Sequence, residues 1–138
     1  MMKNILVPVD GSEGADRAIE KAVMLAKLCN AKVNFLYVAN INQLAINAVL
    51  SDAILDSVTK AGNVILERAM EMVPEGVEKE SFSDTGSPAV VVLDFAESNN
   101  IDLIVMGSRG LGPLKGLFMG SVSSFVVTHA ACPVMIVK

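Results

Sequence analysis

Short apolar runs and helix-spaced apolar stripes alternate along this chain, and that alternation constrains its fold more than any other feature. Runs at residues 4–9, 32–38, 77–82, 103–106 and 133–137 have the length and composition of strands. Between them lie four segments whose apolar residues recur every three or four positions. Five strands and four helices in alternation imply a parallel sheet built with right-handed crossovers. The first run, Ile5-Leu6-Val7-Pro8-Val9, is apolar without interruption, as a central strand buried on both faces should be. Pro8 cannot donate to a ladder, so it belongs where the chain leaves the sheet.

The helices carry their own punctuation. Ser12 or Asp16 can cap the first, whose stripe is Ala15, Ala18, Ile19, Ala22, Val23, Ala26 and Cys29, with Asn30 closing it. The spacing predicts a second helix over 52–72, stopped by Pro74 and Gly76, in which Gly62 is a weakness of roughly 1 kcal/mol. Residues 77–82 are polar enough for an edge strand. Ser87 as N-cap with Pro88 at the first helical position opens a third helix, which turns Val91, Val92, Phe95 and Ala96 inward. Residues 39–51 mix three asparagines with apolar residues and have no clear period; they read as a loop leading into helix two.

At 138 residues the expectation is a single domain spanning 1–138. Hydrophobic residues at 52% and charged residues at 19% place it with ordered α/β proteins. A net charge of −4 with no basic block argues against nucleic acid as a partner. No signal-peptide core opens the chain, and no span of about 18 apolar residues suggests a membrane. A cytoplasmic protein with Cys29 and Cys132 reduced is therefore expected.

Five of the ten glycines, Gly107, Gly110, Gly112, Gly116 and Gly120, fall between the fourth apolar run and a helix starting near Val122. Ser121 looks like that helix's N-cap. Strand, glycine loop and helix start form a geometry suited to phosphate. Glycines admit backbone N–H groups close to an anion, and the helix N-terminus adds free donors and a partial positive charge. The spacing Gly107-x2-Gly110-x9-Gly120-Ser121 is neither a P-loop nor a dinucleotide fingerprint.

That spacing matches, position for position, the ATP-binding signature of the universal stress protein family, which the chain resembles along its whole length. The resemblance is carried by Ile5 to Ser12, by Asp102 to Gly110 and by Cys132 to Val137. It implies a Rossmann-like sheet of order 3-2-1-4-5, although sequence alone leaves 2-1-3-4-5 open. It also implies an ATP site, with Mg²⁺ beside the phosphates. Pro8 and Asp10 would lie at the mouth of the crevice, Asp10 near the ribose or the Mg²⁺. Val38 would meet the adenine, and Met106 and Gly107 the nucleoside. Gly110, Gly120, Ser121, Val122 and Ser123 would hold the triphosphate through backbone N–H groups, with the two serine hydroxyls helping. Arg109 and Lys115 are the only cations in the glycine segment.

Other readings stand beside these. Asp10 can simply organise a turn, and Arg109 can be solvated. His129, the one histidine, falls near a helix C-terminus and reads as structural. No catalytic constellation for fast ATP hydrolysis is visible, which favours a nucleotide-dependent sensor or switch with an unnamed protein partner over an enzyme. A receiver-like phosphorylation switch would need an acidic pair after strand one. Here Asp10 stands alone and Asp84 is the candidate phosphorylated aspartate. An ATP-silent dimeric scaffold is a third reading. The apolar run 133–137 would lie at a sheet edge, and the resemblance implies a homodimer through it.

Overall fold

A computed structural model of the chain describes residues 1–40, 52–108 and 119–138. Its elements are β1 (Asn4–Pro8), α1 (Glu13–Cys29), β2 (Lys32–Ala39), α2 (Asp52–Glu71), β3 (Lys79–Thr85), α3 (Pro88–Ser98), β4 (Leu103–Gly107), α4 (Ser121–His129) and β5 (Val134–Val137). The strands form one sheet in the order β3-β2-β1-β4-β5, every pairing parallel. This order removes the 2-1-3-4-5 alternative, and with it the receiver-like arrangement. Asp84 lies exposed on the edge strand β3, where its side chain accepts from the Thr85 N–H at 2.8 Å.

β1 is central because both of its faces are apolar. Ile5 and Val7 join a core with Ala18, Ile19, Ala22 and Ala26 of α1 and with Leu66 and Ala69 of α2. Leu6 points the other way, into a core with Val92 and Ala96 of α3 and Val126 of α4. Two helices thus cover each face, as a parallel sheet requires. Ser12 caps α1 by accepting from the Ala15 N–H at 3.1 Å, and Asn30 closes it in the left-handed conformation.

Three expectations need correction. The third strand runs later than 77–82, because an edge strand pairs through its backbone whatever its side chains. Phe82 alone packs inward, yet the ladder continues to Thr85 opposite Ala39. Gly62 is not a flaw in α2. A Cβ there would fall 2.7 Å from the Tyr37 ring, so the glycine lets the helix settle onto β2. Ser121 is not the N-cap of α4. Gly120 takes that position, held extended (φ −72°, ψ 164°) with its N–H bonded to the Ser108 carbonyl.

At the opposite end of the sheet Asp102 ties β4 to β1. One carboxylate oxygen accepts from the backbone N–H groups of Lys3 and Asn4 at 2.8 and 2.9 Å, and the Asp102 N–H returns a bond to the Asn4 carbonyl. Those two donors hold its carboxyl below its ordinary value. A depressed folded pKa stabilises the protein above the unfolded value and loses that effect as pH falls through the folded one. Hydrogen bonds to an ion, discounted for solvent exposure, suggest about 1 kcal/mol. Asp102→Asn should therefore lower unfolding free energy by about that much at neutral pH. The gap should close as the pH drops through and below the usual carboxylate range. Urea titrations giving a pH-independent gap would contradict the carboxylate's role.

Candidate functional site

Strand order reverses between β1 and β4: the chain runs outward from β1 to β2 and β3, then returns to β4 and β5. Connections leaving the carboxyl ends of β1 and β4 therefore part to opposite faces and leave a crevice between them. Pro8 ends β1 there, half-buried and paired with Leu36. Asp10 follows, and one of its oxygens accepts from the Ser12 N–H at 3.0 Å. Between them Gly11 takes a φ of +83°, which only glycine adopts without strain. Asp10 thus organises the turn into α1, as one of its two sequence readings holds.

Gly107 ends β4 against α1. A Cβ on it would lie 2.8 Å from the Gly14 carbonyl carbon and 2.9 Å from the Gly14 oxygen. Backbone atoms cannot step aside as a side chain can, so this glycine is demanded by packing before any ligand is considered. Met106 sends its side chain into the α3–α4 core, 6% exposed, which leaves its backbone at the crevice. Val38, near the end of β2, is half-buried against the same core.

A buried polar node links the end of β4 to the start of α4. Ser108 is buried, and its carbonyl accepts from the Gly120 N–H at 2.6 Å and from the Ser123 hydroxyl at 2.8 Å. Its own N–H donates to the Val137 carbonyl at 3.1 Å, so β5 joins the same node. The Ser123 hydroxyl also lies 3.2 Å from the Gly120 carbonyl. At 3% exposure, the Ser123 hydroxyl, expected to help hold the phosphates, here donates to backbone. Ser121 is exposed and Val122 half-buried, in a first helical turn that no side chain caps. Uncapped N–H groups at a helix start are the donors an anion takes up.

The structure brings Gly107 and Ser108 together with Gly120 and Ser123, and packs the turn after Asp10 beside them through α1. Arg109, Gly110 and Lys115 lie outside the described residues, as do residues 41–51. Sequence reasoning missed Gly14, Ser108 and Asn40. A glycine in the first turn of a helix was the available signal for Gly14. Nothing in the sequence marks the other two. Asn40, just past β2, has a buried side-chain oxygen with no hydrogen-bond partner among the described residues, an uncommon state for a native acceptor.

Other candidates belong to the scaffold. His129 bonds the Phe125 carbonyl through Nδ1 at 2.9 Å and stacks on the Phe125 ring at 4.1 Å, in the last turn of α4. Cys29 packs on the α1–α2 core, and burial pushes the Cys132 thiol up; both are free thiols. Among the described residues no helix is long and apolar enough to cross a membrane.

Comparison with known proteins follows the same lines. The chain is 36% identical over 148 aligned positions to the universal stress protein YxiE of Bacillus subtilis, covering all of both chains. The structure resembles that of MJ0577, a protein whose biochemical function was assigned from its structure, with a TM-score of 0.90 and 27% identity over 100% of this chain and 96% of the other. A universal stress protein solved in complex with cAMP aligns with a TM-score of 0.73 and 26% identity, covering 99% of this chain and 97% of that one. An Arabidopsis thaliana family member with AMP bound gives 0.70 and 27%, covering 99% and 91%. The model of the universal stress protein family matches residues 1–138, and the chain belongs to that family.

Proposed function

We propose that this protein binds an adenine nucleotide, ATP foremost, in the crevice between β1 and β4, and that occupancy regulates its contacts with a partner. The observation that carries the reading is the start of α4. A glycine N-cap opens a helix whose first turn has no capping side chain, directly beside the end of β4. Backbone donors there suit a phosphate chain with little help from cations. The nucleotides bound by the cAMP and AMP complexes support adenine as the base.

In this reading the triphosphate rests on the N–H groups of Gly120, Ser121, Val122 and Ser123, with Gly110 and Arg109 contributing from the intervening segment. The Gly120 N–H is shared with the Ser108 carbonyl, which leaves Ser121 to Ser123 as the main donors. Adenine lies toward Val38, and the nucleoside lies against Pro8 and the backbone of Met106 and Gly107. Asp10 fits an indirect contact to phosphate-bound Mg²⁺, because one carboxylate oxygen is held by the Ser12 N–H and the other is left for a water or hydroxyl. Mg²⁺ here would neutralise phosphate charge, and Asp10 would orient its water. No residue described at the crevice is placed as a base for hydrolytic water, so turnover is slow at most.

Proline at the first position of a helix keeps the helix and deletes one N–H. Gly120, already extended, accepts a following proline. Ser121→Pro should thus weaken ATP binding on the order of tenfold while the melting temperature holds. Equilibrium dialysis with labelled ATP and Mg²⁺ checks both claims. Absence of saturable binding by the wild type at millimolar nucleotide would end the nucleotide reading.

A second reading, an ATP-silent scaffold, draws on Gly107 and Ser123, since packing alone accounts for both. Either reading includes a homodimer through residues 133–137. β5 is an edge strand with Met135 exposed, and an apolar edge invites a second copy. Sedimentation at tens of micromolar should give twice the chain mass; a monomer there would refute the pairing.

A further inference from the structure

We infer that Ser123 is a positioning residue: its hydroxyl, bonded to the Ser108 carbonyl, fixes the first turn of α4 against the end of β4 so that the turn's N–H groups are aligned for phosphate before nucleotide arrives. The inference rests on the nucleotide reading above and deepens it by moving the hydroxyl from the ligand to the backbone beneath the ligand.

The Ser108 carbonyl has two acceptor positions, and both are used, by the Gly120 N–H at 2.6 Å and the Ser123 hydroxyl at 2.8 Å. A serine hydroxyl has one proton. With the Gly120 carbonyl farther away at 3.2 Å, that proton goes to Ser108. Ser123 is the third residue of α4, so its bond reaches back across the whole first turn. Ser108 is meanwhile anchored to β5 through the Val137 carbonyl. The turn that would meet phosphate is thereby tied to two strands of the sheet, and both members of the tie are buried, at 8% for Ser108 and 3% for Ser123.

Such a tie acts on affinity through the free protein. Only the fraction of molecules with the turn in place binds phosphate well, and apparent affinity scales with that fraction. Without the hydroxyl, the Gly120 N–H is the one hydrogen bond among the described residues that joins the helix start to the end of β4, beside the packing of Val122 and Val126. The turn then samples other positions, and part of the binding free energy goes into ordering it.

The test compares wild type with Ser123→Ala and with Ser123→Cys, which keeps the volume but donates weakly. Three readouts are taken: ATP affinity, adenosine affinity, and hydrogen exchange of the Gly120 amide in ligand-free protein. Positioning predicts that both variants lose ATP affinity on the order of tenfold, keep adenosine affinity, and exchange the Gly120 amide faster. Equal losses for ATP and adenosine would reduce Ser123 to a stability role. A loss for ATP with unchanged exchange would return the hydroxyl to the ligand. Unchanged ATP affinity would also overturn the inference. Wild type that binds no ATP would instead sink the nucleotide reading itself, an outcome distinct from all of these.

Discussion

The contact of Gly107 with Gly14 sets the geometry of everything at the crevice. Backbone meets backbone there, closer than any Cβ allows, and this lets α1 lie flush over the end of β4. Were α1 pushed outward, the turn after β1 would separate from the end of β4, and the switch point would hold two unrelated loops. With α1 in place, Asp10, Gly11 and the Ser108 node share one layer. One pair of glycines therefore serves packing first and function second, and the same residue types satisfy both demands.

In the nucleotide reading the crevice works through dipoles. Its described residues include no arginine or lysine at the start of α4; the donors are N–H groups of the helix and the loop end. Such a surface attracts phosphate without the long, flexible cations that would need ordering on each binding event. Among the described residues it also has no base placed for water. In the nucleotide reading, a site of this kind can report nucleotide level by occupancy.

Much of the fold was legible because burial writes itself in apolar runs. β1, β2 and β4 lie between neighbours on both sides, and their side chains state as much. The edge strand β3 was misplaced because its last three residues pair by backbone alone. Strand order could not be derived from periodicity; it came from the family resemblance and is seen in the sheet. Glycines were the hardest to interpret. Gly62 looked like a defect and proves to be a seat for Tyr37, and Gly107, which reads as a ligand residue, is also a packing requirement. Ser121 and Gly120 exchanged roles because a tertiary bond to Ser108 outweighed serine's local preference for capping. Ser108 and Asn40 have no sequence signature, since their significance lies wholly in what surrounds them.

The central claim is that the uncapped start of α4, held beside β4, is where phosphate binds. Amide chemical shifts followed during titration with Mg²⁺–ATP test it most directly. The account predicts saturating shifts that are largest at Gly107, Ser108 and Gly120 through Ser123, with smaller ones at Gly11 and Ser12. Shifts that fail to saturate there, or that centre on the opposite end of the sheet around Asn4, Asn30 and Lys32, would contradict it.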